Sequence, residues 1–335
     1  MMDLDLNPLI TLAHTVLQQA PQQDATPVPV GVQATNCPQV FLFHQTCAQA
    51  RQPAVYEPGL IVLLSGQKHI SLGTQAFTYD RTQGLLLTAT YPVLCTAQAS
   101  PEAPLLGLYI ALDRLQVAQL LGKIQRLQGV SRALPLVDGD RPVVASTAPA
   151  SAAVASTRPD PTQGVRDAQV GITAFAVTPA VQHAVAHLLA TLTDPIAAAL
   201  FGPERSQALL YTLLGQVPLK RAVQSWLTHD GGYAQFLKAI SYIHSHLTSP
   251  LTVNGIAVQA GLSESSLNRT FKRFAQDTPL QYVKKLRLNQ AHAQLLRSHC
   301  TVQAAAYDAG YESAAQFSRD YKRYFGVNPK DALKT

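Results

Sequence analysis

Charge is scarce in this sequence: only 14% of its 335 residues are Asp, Glu, Lys or Arg, against a usual share of about 25%. Long apolar runs are missing as well, none approaching the roughly 18 residues of a membrane span. The segment Met1 to Ala20 carries Asp3 and Asp5 but no Lys or Arg, so it lacks the cationic start of a secretory signal. A cytoplasmic protein without a membrane partner is expected. Cysteine is limited to Cys37, Cys47, Cys95 and Cys300, with no C-x-x-C pair among them. That excludes a zinc ribbon and a disulfide framework, and leaves reduced thiols as the expectation.

The few charges present are unevenly placed. From Tyr233 to Thr335 there are 13 Lys and Arg against 6 Asp and Glu, whereas the residues before Tyr233 hold 13 against 14. A basic C-terminal third is the electrostatic footprint of a nucleic-acid-binding module, because cations that neutralise phosphates release condensed counterions. The length exceeds that of one comfortable core, so two folded domains are expected.

Residues 36 to 112 read as short strands: Val40 to Phe43, Leu60 to Leu64, His69 to Leu72, Ala76 to Tyr79, Leu85 to Thr88, Val93 to Ala97 and Leu105 to Leu112. Ser65-Gly66, Gly73-Thr74, Asp80 to Gly84 and Ser100 to Pro104 punctuate them, the pattern of an antiparallel sandwich or barrel. At Asp113 the period changes to that of a helix through Leu115, Val117, Ala118, Leu120 and Leu121. Ala, Pro, Ser and Thr then dominate residues 138–170, which read as an insertion or linker. Thr178-Pro179 opens a helix through Val181, Val185, Leu188 and Leu189, and another spans about Pro203 to Leu214. The expected divisions are an N-terminal helix or extended segment over 1–35, a β regulatory domain over 36–137, and the insertion. A helical packing or dimerisation region follows over 171–230, then a DNA-binding domain over 231–335.

The strongest internal signal is a repeat at a spacing of 50 residues. Ser263, Leu267, Arg269, Phe271, Lys272, Arg273 and Pro279 recur as Ser313, Phe317, Arg319, Tyr321, Lys322, Arg323 and Pro329. In the first copy Thr252 caps a helix burying Val253, Ile256, Ala257 and Ala260; Gly261 breaks it, and Ser263 caps a second helix burying Leu267, Phe271 and Phe274. The second copy uses Thr301, then Val302, Ala305, Ala306 and Ala309, Gly310 at the turn, Ser313 as cap, and Phe317, Tyr321 and Tyr324 inward. Two helix-turn-helix units follow, at about 252–274 and 301–325. Their outward faces carry Ser265, Asn268 and Arg269, then Gln316, Ser318 and Arg319, as base readers, with Ala315 offering only a methyl. Lys272, Arg273, Lys322 and Arg323 fall to the phosphates. One long helix from Pro279 to Leu296, with Tyr282, Val283, Leu286, Ala291 and Leu295 inward, joins the units. Lys284, Lys285 and Arg287 on it are further candidates for phosphate contact.

These residues resemble the DNA-binding domain of the AraC/XylS family of bacterial regulators. The resemblance is strongest in Gly310-Tyr311-Glu312-Ser313, Gln316-Phe317-Ser318-Arg319 and Tyr321-Lys322-Arg323-Tyr324-Phe325-Gly326, ending at Pro329. Upstream, Tyr56-Glu57-Pro58, Gly66-Gln67-Lys68, Tyr79-Asp80, Tyr91-Pro92 and Ala99-Ser100-Pro101-Glu102 are similar to the N-terminal domain of one branch of that family. The resemblance implies an α+β two-domain fold, with a cupin-like antiparallel β-barrel and flanking helices before an all-α domain of two helix-turn-helix units. It also implies a sensing or dimerising role for the barrel. Double-stranded DNA, RNA polymerase, a small-molecule effector and a second copy of the chain are the expected partners; no cofactor or metal is expected.

Other classes are weighed against this reading. A cupin-type metalloenzyme needs several convergent ligands, and the β segment offers only His44 and His69, far apart in sequence. A DNA-repair methyl acceptor needs a four-cysteine cluster that is absent. A redox-sensing regulator using Cys37, Cys47 or Cys95 stays open, since Cys37 and Cys47 flank a strand and could meet in a hairpin. Phe41, Phe43, Tyr56, Phe77, Tyr79, Tyr91 and Tyr109 are candidates to line an effector pocket for a small apolar or aromatic compound, with core packing as the equal alternative.

Overall fold

The computed structural model describes residues 7–19, 32–133, 171–228, 232–298 and 300–332. The insertion expected at 138–170 lies outside the described residues. Helix α1 (Asn7–Gln18) leads into nine strands: β1 (Val32–Ala34), β2 (Val40–Gln45), β3 (Gln49–Tyr56), β4 (Gly59–Ser65), β5 (Gln67–Leu72), β6 (Gln75–Asp80), β7 (Gln83–Leu87), β8 (Tyr91–Gln98) and β9 (Leu105–Ala111). Then come α2 (Arg114–Ala133), β10 (Ile172–Ala176), α3 (Pro179–Leu192), α4 (Pro195–Leu213) and α5 (Val217–Thr228). The C-terminal part is helical: α6 (Tyr233–Ser245), α7 (Val253–Ala260), α8 (Glu264–Phe274), α9 (Pro279–Ser298), α10 (Val302–Asp308), α11 (Ala314–Phe325) and α12 (Pro329–Ala332).

The strands form two antiparallel sheets, ordered β1-β2-β9-β4-β7-β10 and β3-β8-β5-β6. Alternation assigns the faces. In β2, Val40 and Leu42 are buried under helices, while Phe41 and Phe43, in register with Tyr109 and Gly107, face the second sheet. In that sheet Ile70, Leu72, Tyr79, Val93 and Cys95 are among the buried side chains and point back at the first. Helices α1 and α3 pack together, and α1 also covers β4 and β9. The expected α+β architecture of β-domain followed by helical domain is thus present. No helix among the described residues is long and apolar enough to cross a membrane.

Helix caps follow the sequence. Asp113 Oδ1 accepts from the amide of Gln116 at 2.9 Å, and Thr178 Oγ1 accepts from that of Val181 at 3.4 Å, with Pro179 in the first turn. One boundary needs correction. The helix expected from Pro203 starts at Pro195, where Asp194 caps it by accepting from the amide of Ala197. Pro203 lies inside this helix, which Pro195 opens with its pre-set φ.

Buried apolar side chains form two clusters. The larger runs without interruption from Leu9 through the sheets, α3 to α8, and the first half of α9 as far as Leu286. The smaller begins at Leu288 and holds Ala291, Leu295, Ala305, Ala306, Ala309, Tyr311, Phe317, Tyr321 and Ala332. The first helix-turn-helix unit therefore shares its core with the β-domain, and the second has its own.

Candidate nucleic-acid interface

Each of the four helices that make up the two units has a side-chain cap. Thr252, Ser263, Thr301 and Ser313 accept from the amides of Gly255, Ser266, Ala304 and Gln316 at 3.0, 3.3, 3.1 and 3.3 Å. The turns match as well. Gly261 and Gly310 sit at φ +69° and +81°, and the next amides, Leu262 and Tyr311, reach back to the carbonyls of Ala257 and Ala306. That left-handed stop with its backward bond ends the first helix and starts the second at a fixed angle. The second turn holds one residue more, Tyr311 and Glu312 standing where the first has Leu262. The spacing of 50 consequently begins only at Ser263.

In both units the second helix buries its aromatic stripe and leaves its polar stripe free. On α8, Leu267, Phe271 and Phe274 are buried, while Ser265, Arg269, Lys272 and Arg273 are exposed and Asn268 is half-buried. On α11, Phe317 and Tyr321 are buried, Tyr324 is half-buried, and Ala315, Gln316, Arg319, Lys322 and Arg323 are exposed. Asn268 Nδ2 donates to the Glu264 carbonyl and Ser318 Oγ to that of Ala314, so these two must exchange a helical bond to reach a base. Arg269 Nη2 donates to Ser266 Oγ at 3.2 Å, and Arg273 lies over the Phe274 ring at 4.9 Å.

Three cations of the joining helix α9 are used internally. Lys284 Nζ is 2.9 Å from Asp320 of α11, and Lys285 Nζ is 2.5 Å from Asp277. Arg287 donates to the carbonyls of Leu247 and Ser249 at 2.8 and 2.6 Å, satisfying the chain just beyond α6. Asn289 Nδ2 donates to Tyr324 OH at 3.1 Å, and His292 Nδ1 lies 2.6 Å from Tyr321 OH. Sequence reasoning missed the Lys284–Asp320 clamp, because nothing in the spacing of the two residues announces it.

A second feature missed in the sequence is the contact between the first unit and the β-domain. Tyr282 OH on α9 donates to the Thr90 carbonyl at 2.9 Å, and the hydroxyls of Tyr233 and Thr88 are 2.6 Å apart. Thr90 Oγ1 in turn donates to Glu57 at 2.5 Å. Tyr91 stacks on Phe236, which meets Phe271 and Phe274 of α8. The β5–β6 turn at Gly73 abuts Gln276, just past α8. Burial holds His244 of α6 below the ordinary histidine range, while Glu57 pulls the other way.

Between the sheets, the hydroxyls of Tyr56 and Tyr79 are 2.9 Å apart, and the Lys68 ammonium lies 5.4 Å from the Tyr56 ring centre and 5.8 Å from that of Phe43. Phe41 and Tyr109 have ring centres 5.7 Å apart, and Phe77 precedes Tyr79 on the same face of β6. Tyr91 instead serves the contact with α6. His44 and His69 do not converge: His44 points out towards His14 of α1, and His69 bonds Thr78 Oγ1 at 2.7 Å. Burial and the His14 charge both push His44 below the ordinary range. Cys37 and Cys47 also stand apart, at opposite ends of the extended β2, so the hairpin that would join them does not form. Burial pushes the Cys37 and Cys95 thiols up, away from the reactive thiolate.

Comparison with known proteins gives two family matches: an AraC-type transcriptional regulator N-terminus over residues 36–217, and a helix-turn-helix domain over residues 256–335. The HTH-type transcriptional regulator ArgR of Pseudomonas aeruginosa is 28% identical over 116 residues, 35% of this chain and 33% of that protein. The chain thus spans about a third of such a relative's length. Among solved structures, apo ToxT from Vibrio cholerae has a TM-score of 0.56 at 11% identity, covering 90% of this chain and 99% of that one. ToxT bound to an unsaturated fatty acid has a TM-score of 0.53 at 10% identity, covering 88% and 93%. At such identity the likeness is one of fold.

Proposed function

This chain belongs to the AraC-type transcriptional regulators, and from that premise we propose that it regulates transcription by binding specific DNA with α8 and α11. The observation that carries the reading is the doubled unit, in which each second helix buries an aromatic stripe and exposes a short cationic one. Ser265, Asn268, Arg269, Gln316, Ser318 and Arg319 face the bases, the arginines pairing with guanine O6 and N7. Lys272, Arg273, Lys322 and Arg323 hold phosphates. Lys284 is left out of that set because Asp320 neutralises it. The domain over residues 231–335 does the reading in the cytoplasm, and RNA polymerase is the partner downstream.

Residues 36–217 sense and pair. A small apolar or aromatic effector lodges among Phe41, Phe43, Tyr56, Phe77, Tyr79 and Tyr109, and the Lys68 ammonium at the Phe43 and Tyr56 rings favours one that carries an acid. The fatty-acid-bound ToxT is consistent with that class. Pairing with a second copy is supported by α4, whose Ile196, Leu200, Phe201 and Tyr211 are 72, 61, 56 and 60% exposed. An antiparallel second α4 would set Ile196 against Tyr211 and Glu204 beside Arg205. The deciding experiment is selection of genomic fragments by purified protein, followed by anisotropy titration of the enriched site. Enrichment of one motif supports the reading, and fragments with no common motif refute it.

A further inference from the structure

Among the described residues, a cavity lies between α1 and the strands β1 and β2. It measures about 430 Å³ and is lined by His14, Leu17, Gln18, Val32, Gln33 and His44. Four of these six side chains are polar, which a mere packing seam under a helix does not require. Its two imidazoles come from different elements, His14 from α1 and His44 from β2, with ring centres 5.3 Å apart and planes at 79°. Two imidazoles bound to one tetrahedral ion at about 2.0–2.1 Å have ring centres roughly 5.3 Å apart. The observed pair already stands at that separation.

We propose that His14 and His44 supply the imidazole half of a divalent transition-metal site that staples α1 to β2. Gln18 and Gln33, in the same cavity, offer amide oxygens, and water fills what remains. No group of three or more His, Cys, Asp and Glu converges among the described residues, so the site carries no carboxylate or thiolate. That donor set suits zinc, copper or nickel over magnesium or calcium, which demand oxygen shells. Without an anionic ligand the ion is exchangeable, as a sensor's would be, and differs from a permanent structural zinc. Its effect falls on α1, which is otherwise held by the buried Leu9, Ala13 and Val16 and the partly buried Ile10, Leu12 and Leu17. This site lies on the opposite face of the six-stranded sheet from the effector rings, and it stands independently of the DNA-binding reading.

The test uses the full chain stripped of metal by a chelator and titrated with ZnCl₂ in a calorimeter. One ion per chain is expected, with a rise in Tm. His14→Gln and His44→Gln should each weaken binding roughly tenfold or more. His69→Gln, on a histidine bonded to Thr78, should leave it unchanged. Melting of each variant in metal-free buffer shows whether it folds. In the wild type, which needs no variant, the EPR spectrum of bound Cu²⁺ should resolve two imidazole nitrogens. No saturable ion, equal affinity in all three variants, or a copper spectrum with fewer than two nitrogens would overturn the proposal.

Discussion

Arg269 and Lys272 sit one helical turn apart on α8, both exposed, yet their chemistry predicts different losses. Arg269→Ala should cost about 1–3 kcal/mol at the selected site and relax preference at one base position. Lys272→Ala should weaken all sequences evenly and lower the salt slope by about 1. Anisotropy titrations at several salt concentrations separate the two; equal behaviour would reverse the assignment. Such residues were legible because amphipathic spacing alone says which side chains point away from a core. Lys284 was not, since its fate depends on Asp320, brought near only by the folding of α11 onto α9. Histidines give a further prediction. Burial holds His244 and His292 below their ordinary range in the folded chain. A base whose folded value is depressed stabilises fully above its unfolded value of about 6.5, and that stability is lost as pH falls below it. Tm should therefore drop between pH 7 and pH 5, and His292→Gln, which removes one proton acceptor, should flatten the drop.

The helix-turn-helix turns look interchangeable in sequence and are not in structure. A Cβ on Gly261 would meet nothing within 4 Å, whereas one on Gly310 would come 2.8 Å from the Thr248 carbonyl oxygen. Gly261→Ala thus bears only the left-handed backbone cost, about 1–2 kcal/mol. Gly310→Ala adds a clash with main chain that cannot swing aside, and should lower Tm further than its counterpart. Equal losses would mean that Thr248 yields freely. The strands show the same mixture of legible and hidden. Those with apolar alternation, from β2 to β9, were readable apart from β3. That strand, Gln49–Tyr56, is polar and contains Pro53, which argues against a central strand. It lies at a sheet edge, where proline's missing donor costs no ladder bond. β10 pairs with β7 from 85 residues further along, a partner that local pattern cannot supply. Pro203 misled in the opposite sense, because proline inside a helix looks like the start of one.

Across the whole molecule the division expected from charge and repeat and the division of packing fall in different places. Charge and repeat put the boundary near residue 231, but the buried cluster crosses it through Tyr233, Phe236, Phe271 and Tyr282 and stops only inside α9, between Leu286 and Leu288. The first reading unit is therefore welded to the β-domain by stacked rings and by the Tyr282 and Tyr233 hydroxyls. The second is joined to it through α9, the Lys284–Asp320 pair and a light touch of α11 on β3. A change of shape between the sheets has a direct route to α8 and a longer one to α11. Local opening follows the size of the cooperative unit, so amide exchange should sort the helices by core and not by sequence position. Amides of α7 and α8 are expected to share the slow exchange of β7 and β8, while those of α10 and α11 open earlier as a separate group. Were α7, α8, α10 and α11 to exchange together, with the β-domain apart, the two units would form one body and a change of shape between the sheets would have to reach both at once.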